Sequence, residues 1–329
     1  MSESRASDYQ MARTSVIICA YTLDRWDDLV AAIASVRDQT SPPLETILVI
    51  DRSEDLLARA QQSISDVTIV ANAHRGGLSG GRQTGADLAR GEILAFLDDD
   101  AIADPDWLEE LERPYADPNV LGVGGLIEPS WVEPTPPWFP AEFNWVVGCS
   151  YHGLPTEPAR VRNTIGANMS VRAEVMRRTG DWEMELGRAY DGDALGSTAE
   201  ETEFCIRATR LHPGGYWMHA PAARVSHRVP PERATWSYFV RRCRIEGKAK
   251  AVIAELEGAS TGLESERAYA FSVLPRAVAR ELARAGRGSF DGLGRAAAIV
   301  AGLLITGFEY GRTKLVRRHQ RAASESSTR

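Results

Sequence analysis

Three consecutive aspartates, Asp98, Asp99 and Asp100, are the residues of this chain best placed by their type and spacing to do chemistry. They directly follow Ile93–Leu97, an apolar run typical of a buried strand, and a strand interior cannot hold three anions without neutralising them. We therefore expect them where the strand emerges, at the sheet edge where open α/β sheets bind ligands. Closely spaced carboxylates there would hold a hard divalent cation, which in turn would hold phosphates. The simpler alternative is a solvated acidic turn or a helix N-cap before Pro105.

Two further acids and a histidine could belong to the same site. Glu200 and Glu201 open a predicted helix, where the helix dipole favours acids in any case. Their side chains point in different directions, so one could be structural while the other faces a cleft. His227 ends a short predicted strand, and such a histidine is more often a hydrogen-bonded structural residue. Beside a carboxylate cluster, however, it becomes a candidate metal ligand.

A glycine-rich segment lies between the third predicted strand and the next helix. Its four glycines, beginning with Gly76 and Gly77, permit close approach of the backbone to a ligand, and Arg75 and Arg82 could bind phosphates. The segment matches neither a Walker A loop nor Gly-x-Gly-x-x-Gly, so dinucleotide binding is not indicated. Asp51, at the end of the second predicted strand, is placed either to meet a nucleotide or to cap the following helix.

The elements that must position these groups alternate between strand and helix. Apolar runs predict strands at Ser15–Ala20, Thr46–Ile50, Val67–Val70, Ile93–Asp98, Asn163–Val171 and Ala223–His227. Helical spacing between the first four predicts a mostly parallel α/β sheet with right-handed crossovers, a Rossmann-like layer flanked by helices. Prolines alternate with aromatic residues over residues 128–162, which predicts a long loop packed by aromatic side chains.

Composition narrows the class of protein. The 329 residues are 43% hydrophobic with a net charge of −7, which is typical of a soluble globular protein and argues against a general nucleic-acid binder. The four cysteines lie far apart without a Cys-x-x-Cys pair, so they predict reduced thiols in a cytoplasmic protein. Residues 1–12 are polar, unlike a signal peptide, and are predicted to be a disordered tail.

The last part of the chain is predicted to be a helical region over residues 233–319, followed by a disordered tail over 320–329. Thirteen uncharged residues, Ala296–Phe308, are shorter than the about 20 residues that a membrane span needs. Basic residues follow them. Two interpretations remain open, a helix that lies on an anionic membrane surface and a helix that packs on the core.

Taken together, these segments resemble the family 2 glycosyltransferases of the GT-A fold over roughly residues 14–230. The segments that carry the resemblance are Val16–Thr22, Ser35–Thr40, Val49–Asp51, the glycine-rich segment, Gly91–Asp100 and the pair Glu200-Glu201. A looser resemblance, in Trp145–Ser150 and the apolar C-terminal segment, is to the glucosyl-dolichyl-phosphate glucuronosyltransferases. The resemblance implies a catalytic domain over residues 13–232, with a nucleotide-binding half (13–127) and an acceptor-binding half (128–232).

The resemblance also implies a nucleotide-sugar donor, with a UDP-sugar favoured, a Mg²⁺ or Mn²⁺ ion, and inversion at the anomeric carbon. In the family's Asp-x-Asp pattern Asp100 would bind the metal, Asp98 would face the metal or the ribose, and His227 would add a ligand. Glu201 stands where the family has an aspartate as general base, with Glu200 as the alternative. The nucleotide is expected to contact Ala20, Tyr21, Asp51, Arg75, Gly76, Gly77, Arg82, Asp98 and Asp99. The acceptor is expected to contact Trp145, Gly166 and Asn168.

The expected activity is the transfer of one sugar, because the Gln-x-x-Arg-Trp motif and multiple spans of the processive members do not occur in this sequence. The acceptor would be a lipid-linked glycan, a polysaccharide precursor or a secondary metabolite. The enzyme would be cytoplasmic and peripheral on the inner face of the cell membrane, with contact through the C-terminal helix. Two alternatives are a nucleotidyltransferase, which would need a basic glycine loop after the first strand, and a non-catalytic nucleotide-sugar-binding protein of the same fold.

Overall fold

The computed structural model describes residues 14–182, 199–256 and 264–327. Within these residues, nine strands form one mixed sheet. The strands are β1 Thr14–Ala20, β2 Glu45–Ile50, β3 Thr68–Ala71, β4 Ile93–Asp98, β5 Ala101–Ala103, β6 Val120–Trp131, β7 Ala159–Val161, β8 Asn168–Arg172 and β9 Tyr216–Val229. Their order across the sheet is β3-β2-β1-β4-β8-β6-β9-β5, and β7 also pairs with β9.

Parallel strands and crossover helices build the first half of the sheet. β1 lies between β2 and β4, and β3 lies outside β2, all four in parallel. The helices of this half are α1 Trp26–Arg37, α2 Glu54–Ser63, α3 Leu78–Leu88 and α4 Trp107–Glu112. Because helices cover the sheet, the central strands β1, β2 and β4 are almost wholly buried, which explains their continuous apolar runs. The four predicted strands and their α/β arrangement are confirmed to within one or two residues.

The second half mixes strand directions and departs further from the prediction. β8 is antiparallel to both β4 and β6, and β6 runs parallel to β9. The predicted strand over residues 163–171 begins only at Asn168, and Gly166 in the segment before it lies against the side chain of Glu201. β9 is longer than predicted, since its register against β6 shifts between the pairs Gly125↔Ala220 and Leu126↔Arg224 and pairing then resumes. Helices α5 Ala173–Thr179 and α6 Glu200–Leu211 belong to this half.

The predicted aromatic loop packs onto the C-terminal helices. It leaves the sheet after β6, contains a 3₁₀ helix at Ala141–Val147, and returns at β7. Trp138 and Phe143 place their rings against Phe239, with centroids 5.6 and 5.2 Å apart. Phe239 belongs to α7 Trp236–Leu256. The aromatic residues of the loop therefore join the sheet to the helical end of the chain.

Three helices follow α7 in the described chain. They are α8 Glu264–Ala268, α9 Leu274–Ala285 and α10 Asp291–Ser327, with a π-helical turn between α8 and α9. Pro275 lies in the first turn of α9, directly after the π-helical turn, and the chain stays helical through it. α10 packs on α7, where Gly302 approaches the rings of Phe143 and Phe239.

The sequence predicts a disordered tail at each end of the chain. Residues 1–12 lie outside the described part of the chain. The predicted tail over 320–329 is helical as far as Ser327, because α10 continues through it. A helix that is already nucleated extends readily through Ala, Arg, Gln and Glu residues, whose intrinsic helix propensity is high.

Candidate active site

The sheet itself brings the aspartates and the histidine together. β4 carries Asp98 to its carboxyl end, and Asp99 and Asp100 form the turn into β5. β5 pairs antiparallel with β9, and this register sets Ala101 opposite His227. The Nε2 atom of His227 consequently lies 3.1 Å from Oδ1 of Asp100 and 3.9 Å from Oδ2 of Asp98.

These three side chains fit a divalent cation. One ligand atom from each of Asp98, Asp100 and His227 lies within 4.8 Å of the other two. Two carboxylates and an imidazole suit Mn²⁺ or Mg²⁺. The side chain of Asp98 is 27% exposed whereas those of Asp100 and His227 are 5% or less, so the set is open on one side. Oxygen atoms of a bound phosphate could complete the coordination from that side.

Asp100 and His227 form an ion pair. Burial opposes the charged imidazolium, but the carboxylate of Asp100 raises the pKa of His227 to about 10. Burial likewise opposes the charged carboxylate, and His227 nevertheless holds the pKa of Asp100 well below its ordinary value. The other ring nitrogen, Nδ1, lies 3.8 Å from Sγ of the buried Cys149. A cation that binds Nε2 must therefore displace a proton from the ring.

Two arginines that the sequence analysis missed surround the aspartates. Arg25, on a 3₁₀ turn after β1, places Nη1 2.9 Å from Oδ1 of Asp99 and 3.1 Å from Oδ2 of Asp100. Arg233, on the 3₁₀ turn after β9, places Nη2 3.5 Å from the same Asp100 oxygen. Burial, with the Asp100 charge next, raises the pKa of Asp99 to about 7. No local motif marks either arginine, because the fold alone brings them to the aspartates.

Arg82 lies deeper than expected for a phosphate ligand. Gly81 and Gly85 face side chains of Cys19 and Ile17 on β1, so α3 lies close to the sheet and turns Arg82 into the site. There the guanidinium is almost fully buried. Its Nη1 lies 3.4 Å from Oε1 of Glu201 and 3.5 Å from Oε1 of Glu200, and its Nη2 lies 3.7 Å from Oδ1 of Asp98. Arg82 thus links the predicted base to the predicted metal site.

Glu201 is the more accessible of the two glutamates that open α6. Its side chain is 10% exposed, compared with 1% for Glu200. The backbone of Gly166 lies directly against it, and a Cβ at that position would be 2.1 Å from Oε1 of Glu201 and 2.4 Å from Nη2 of Arg82. Burial raises the pKa of Glu201, and the positive charge of Arg82 opposes the rise. A partly exposed carboxyl group with a raised pKa can exchange a proton with a ligand that binds beside it.

The remaining predicted nucleotide contacts lie along the carboxyl ends of β1 and β2. Asp51 is buried, and its carboxylate accepts hydrogen bonds from Nδ2 of Asn72 at 2.7 Å and from the backbone N–H of Gly77 at 2.9 Å. Gly77 is the residue immediately before α3 and has φ +121°, a conformation that favours glycine. Asp51 therefore also holds the glycine-rich segment in place.

The other predicted positions of that edge vary in burial. Gly76 lies against the side chain of Arg52, and the side chain of Arg75 is exposed. At the end of β1, Ala20 is buried and Tyr21 is partly buried, with the guanidinium of Arg25 5.4 Å from the Tyr21 ring centroid.

The three residues expected to contact an acceptor occupy different environments. Gly166 lies at Glu201, as described. Asn168 is fully buried, accepts a hydrogen bond from Nε1 of Trp107, and donates to the carbonyl groups of Leu126 and Ala223. Asn168 on β8 thereby connects this strand with β6 and β9. Trp145 is partly buried and packs on Phe143, with ring centroids 5.4 Å apart.

Comparison with known proteins identifies the family and the fold. Residues 15–180 match the model of Glycosyl transferase family 2. A glucosyl-dolichyl phosphate glucuronosyltransferase of Haloferax volcanii is 35% identical over 245 residues, which cover 73% of this chain and 77% of that protein. A polypeptide N-acetylgalactosaminyltransferase 11 of Xenopus tropicalis is 27% identical, covering 65% of this chain and 37% of that protein.

Two solved structures share the architecture. The mannosyltransferase PcManGT from Pyrobaculum calidifontis, in complex with GDP-Man and Mn²⁺, superposes with a TM-score of 0.55 over 90% of this chain and 87% of that one, at 18% identity. GalNAc-T7 with UDP, GalNAc and Mn²⁺ gives a TM-score of 0.51 over 72% of this chain and 48% of that one, at 20% identity. The expected GT-A fold is confirmed. The chain belongs to glycosyltransferase family 2 and is a glycosyltransferase.

Proposed function

We propose that this enzyme moves one sugar from a nucleotide-sugar, with a UDP-sugar favoured, to a hydroxyl group of a lipid-linked acceptor, with inversion at the anomeric carbon. One observation carries the proposal: Arg82 touches both Asp98 of the candidate cation site and Glu201 of the candidate base. A donor diphosphate at the first and an acceptor hydroxyl at the second would therefore lie side by side, as a direct displacement requires.

The donor side of the site is built to hold a diphosphate. Asp98, Asp100 and His227 would hold Mg²⁺ or Mn²⁺, which neutralises the charge that develops on the departing diphosphate. Arg25 and Arg233 already neutralise the inner oxygens of the aspartates, so the open side of the site is left for the donor. The relatives solved with UDP or GDP-Man carry Mn²⁺, which supports this assignment.

The acceptor side supplies a base. An acceptor hydroxyl is a poor nucleophile near neutral pH, so a carboxylate within hydrogen-bonding reach must take its proton. Glu201 is the candidate, with Gly166 leaving room beside it and Arg82 keeping its carboxylate in place. A single displacement with one base inverts the anomeric carbon and needs no covalent nucleophile on the protein.

Among the expected acceptors, a polyprenyl-phosphate-linked sugar is the best supported. The Haloferax volcanii relative is named for transfer of glucuronic acid to glucosyl-dolichyl phosphate, and it matches over most of both chains. The transferred group would accordingly be a hexosyl or uronosyl residue. Such an acceptor would place the enzyme on the cytoplasmic face of the membrane.

The test is a transfer assay with a panel of UDP- and GDP-sugars and a short-chain polyprenyl-phosphate glucose as acceptor, with Mn²⁺ or with EDTA. We expect metal-dependent transfer from one UDP-sugar and an inverted product by NMR. Glu201→Gln should lower kcat by about 10²–10⁴-fold, the usual effect of removing a general base. The matched control is Glu203→Gln on the same helix, where Glu203 instead pairs with Arg207.

Each part of the proposal can fail separately. A retained anomeric configuration would contradict a single displacement, and transfer from a GDP-sugar alone would contradict the UDP preference. Loss of activity in Glu200→Gln but not in Glu201→Gln would exchange the roles of the two glutamates. Full activity in both variants would mean that the acceptor atom is already an anion, such as a phosphate oxygen, and that no base is used.

A further inference from the structure

The solvent-exposed face of α10 is apolar, whereas exposed helix faces are usually polar. Exposed apolar residues recur at helical spacing along one side of the helix, and Leu304 and Phe308 are 66% and 69% exposed. We call this the outer stripe, and its members are Leu293, Ala297, Val300, Leu304, Phe308 and Leu315. Phe290, just before the helix, is 77% exposed. A surface of this kind on a folded protein marks an interaction site.

The opposite face of α10 packs against the rest of the protein. Ala298 and Ile299 are buried in the hydrophobic core. Thr306 donates a hydrogen bond to the carbonyl group of Cys243 on α7 at 3.2 Å. Glu309 is buried and pairs with Arg312 at 3.0 Å. The outer stripe is therefore exposed because the helix is held by its other side.

The stretch of chain that includes the outer stripe carries mostly positive charge. Residues 269–320 contain nine Arg or Lys against three Asp or Glu, although the whole chain has a net charge of −7. Two of the three acids, Glu281 and Glu309, are buried in ion pairs, which leaves only Asp291 exposed among them. Exposed basic residues lie near the end of the stripe, at Arg312, Lys314 and Arg318, and on or just after α9, at Arg276 and Arg287.

We propose that the outer stripe and its basic border form a membrane-docking surface, which lies in the plane of an anionic lipid leaflet. Apolar side chains would enter the boundary between headgroups and acyl chains, and the arginines and lysine would reach the phosphates. A second copy of the chain fits the same face less well, because two positively charged borders would meet.

α10 is long and apolar enough by composition to cross a membrane, with 28% of its apolar window buried in the fold. To do so it would have to leave α7 and carry the buried Glu309 into hydrocarbon, which is strongly unfavourable. Its packing on α7 therefore favours a helix that lies on the membrane.

A series of packed residues connects the start of α10 with the active site. Gly294, in the first turn of α10, lies against Trp138, whose ring is 5.2 Å from the ring of the half-exposed Trp236. Trp236 follows the short 3₁₀ helix of Arg233, and the Arg233 guanidinium reaches Asp100 at 3.5 Å. A sugar on a membrane-bound polyprenyl phosphate could thus reach the site from this side. The docking surface stands without the proposed function, but this placement of the acceptor rests on it.

The experiment is co-sedimentation of the full chain with vesicles of phosphatidylcholine alone or mixed with phosphatidylglycerol. We expect binding to be about tenfold tighter or more with the anionic lipid. Leu304→Glu/Phe308→Glu should weaken that binding about tenfold or more. The matched control, Leu88→Glu/Leu211→Glu, changes two exposed leucines elsewhere by the same charge and should bind like the parent protein. Lys314→Gln/Arg318→Gln should lose the part of binding that salt screens.

Thermal unfolding and transfer to a water-soluble acceptor should be unchanged in all variants, which separates loss of docking from loss of fold or of transferase activity. Equal vesicle binding by the outer-stripe variant and the parent protein would overturn the proposal, as would no binding by the parent protein. Retention in the membrane after alkaline carbonate extraction would show a spanning helix and overturn it too. A dimer that the outer-stripe variant abolishes, without vesicle binding, would show a second copy there instead.

Discussion

Gly166 lies directly against the candidate base. In Gly166→Ala the new Cβ would lie 2.1 Å from Oε1 of Glu201, so the carboxylate has to move. A displacement of this size should lower kcat about 10²-fold, with a stability loss of about 1–3 kcal/mol. Steady-state kinetics and denaturant unfolding measure the two effects.

Gly286→Ala is the matched control for Gly166→Ala, since its Cβ would meet other atoms only at 3.7 Å and its backbone is already right-handed helical. It should leave kcat unchanged. Equal kinetics of Gly166→Ala and the parent protein would place Glu201 outside the reaction.

The raised pKa of His227 predicts how the affinity for a cation depends on pH. The imidazolium has a pKa of about 10 beside Asp100, so near neutral pH the ring must lose a proton before it can bind a metal. Because the raised pKa keeps the ring protonated below that value, the affinity for Mn²⁺ should increase as pH rises through the neutral range. Calorimetry in two buffers of different ionisation enthalpy should show about one proton released per ion.

The proton release should persist in His74→Gln, which alters an exposed histidine paired with Asp87, and disappear in His227→Gln. Binding of Mn²⁺ without any proton release in the parent protein would exclude His227 as a ligand.

Sequence reasoning identified the acidic residues of the site but not the cations that balance them. Asp98, Asp100 and Glu201 stand out because a carboxylate at the end of an apolar strand or the start of a helix is visible locally. Arg25 and Arg233 meet the same aspartates only through strand pairing and chain turns distant in sequence. Arg82 was singled out for its glycine-rich surroundings, but its burial among carboxylates could not be read from them.

At the scale of elements, an ion-pair network fastens α8 to the rest of the molecule. Glu266 pairs with Arg162 at 2.6 Å and with Lys250 of α7 at 2.8 Å, and these side chains are about a fifth exposed. Burial disfavours the carboxylate, but Lys250 and Arg162 lower the pKa of Glu266 to about 2 from an ordinary 4.5. The folded-state pKa is depressed, so this stabilisation is present above about pH 4.5 and is lost as pH falls toward 2.

Glu266→Gln should therefore lower the free energy of unfolding at neutral pH by about 1–2 kcal/mol, discounted for partial exposure. The difference between variant and parent protein should shrink as the medium is acidified below about pH 4.5. Denaturant unfolding over that range measures it, with Glu109→Gln in the exposed pair with Arg113 as the control. A difference that does not change with pH would mean that the network adds no charge-dependent stability.

The elements differ in how far sequence predicts them. β1, β2 and β4 were predictable because burial on both faces gives unbroken apolar runs. The less buried β3 was predictable from its run of β-branched residues. β5 and β6 were not, since the three residues of β5 form a strand only through their pairing with β9, and β6 runs on into the proline-rich loop. The extent of β9 depends on a register shift opposite Gly125 and Leu126, which no local pattern reveals. The packing of the aromatic loop on α7 also depends on contacts with the end of the chain.

At the scale of the whole molecule, charge is separated along the chain. Residues 269–320 are positive, and the remainder carries the negative charge that gives the net −7. An anionic surface would attract one part and repel the other, so the protein should approach it in a preferred orientation. Salt should weaken the approach, because it screens exposed charges over a Debye length of about 8 Å at physiological ionic strength.

The pairing of β5 with β9 has a consequence for the newly made chain. During synthesis, β1 to β4 leave the ribosome before His227 is added, because β9 follows them in the chain. Asp98 and Asp100 therefore lack the third candidate metal ligand, His227, until β9 has been synthesised. A chain that ended before β9 would lack His227 and with it the complete candidate cation site.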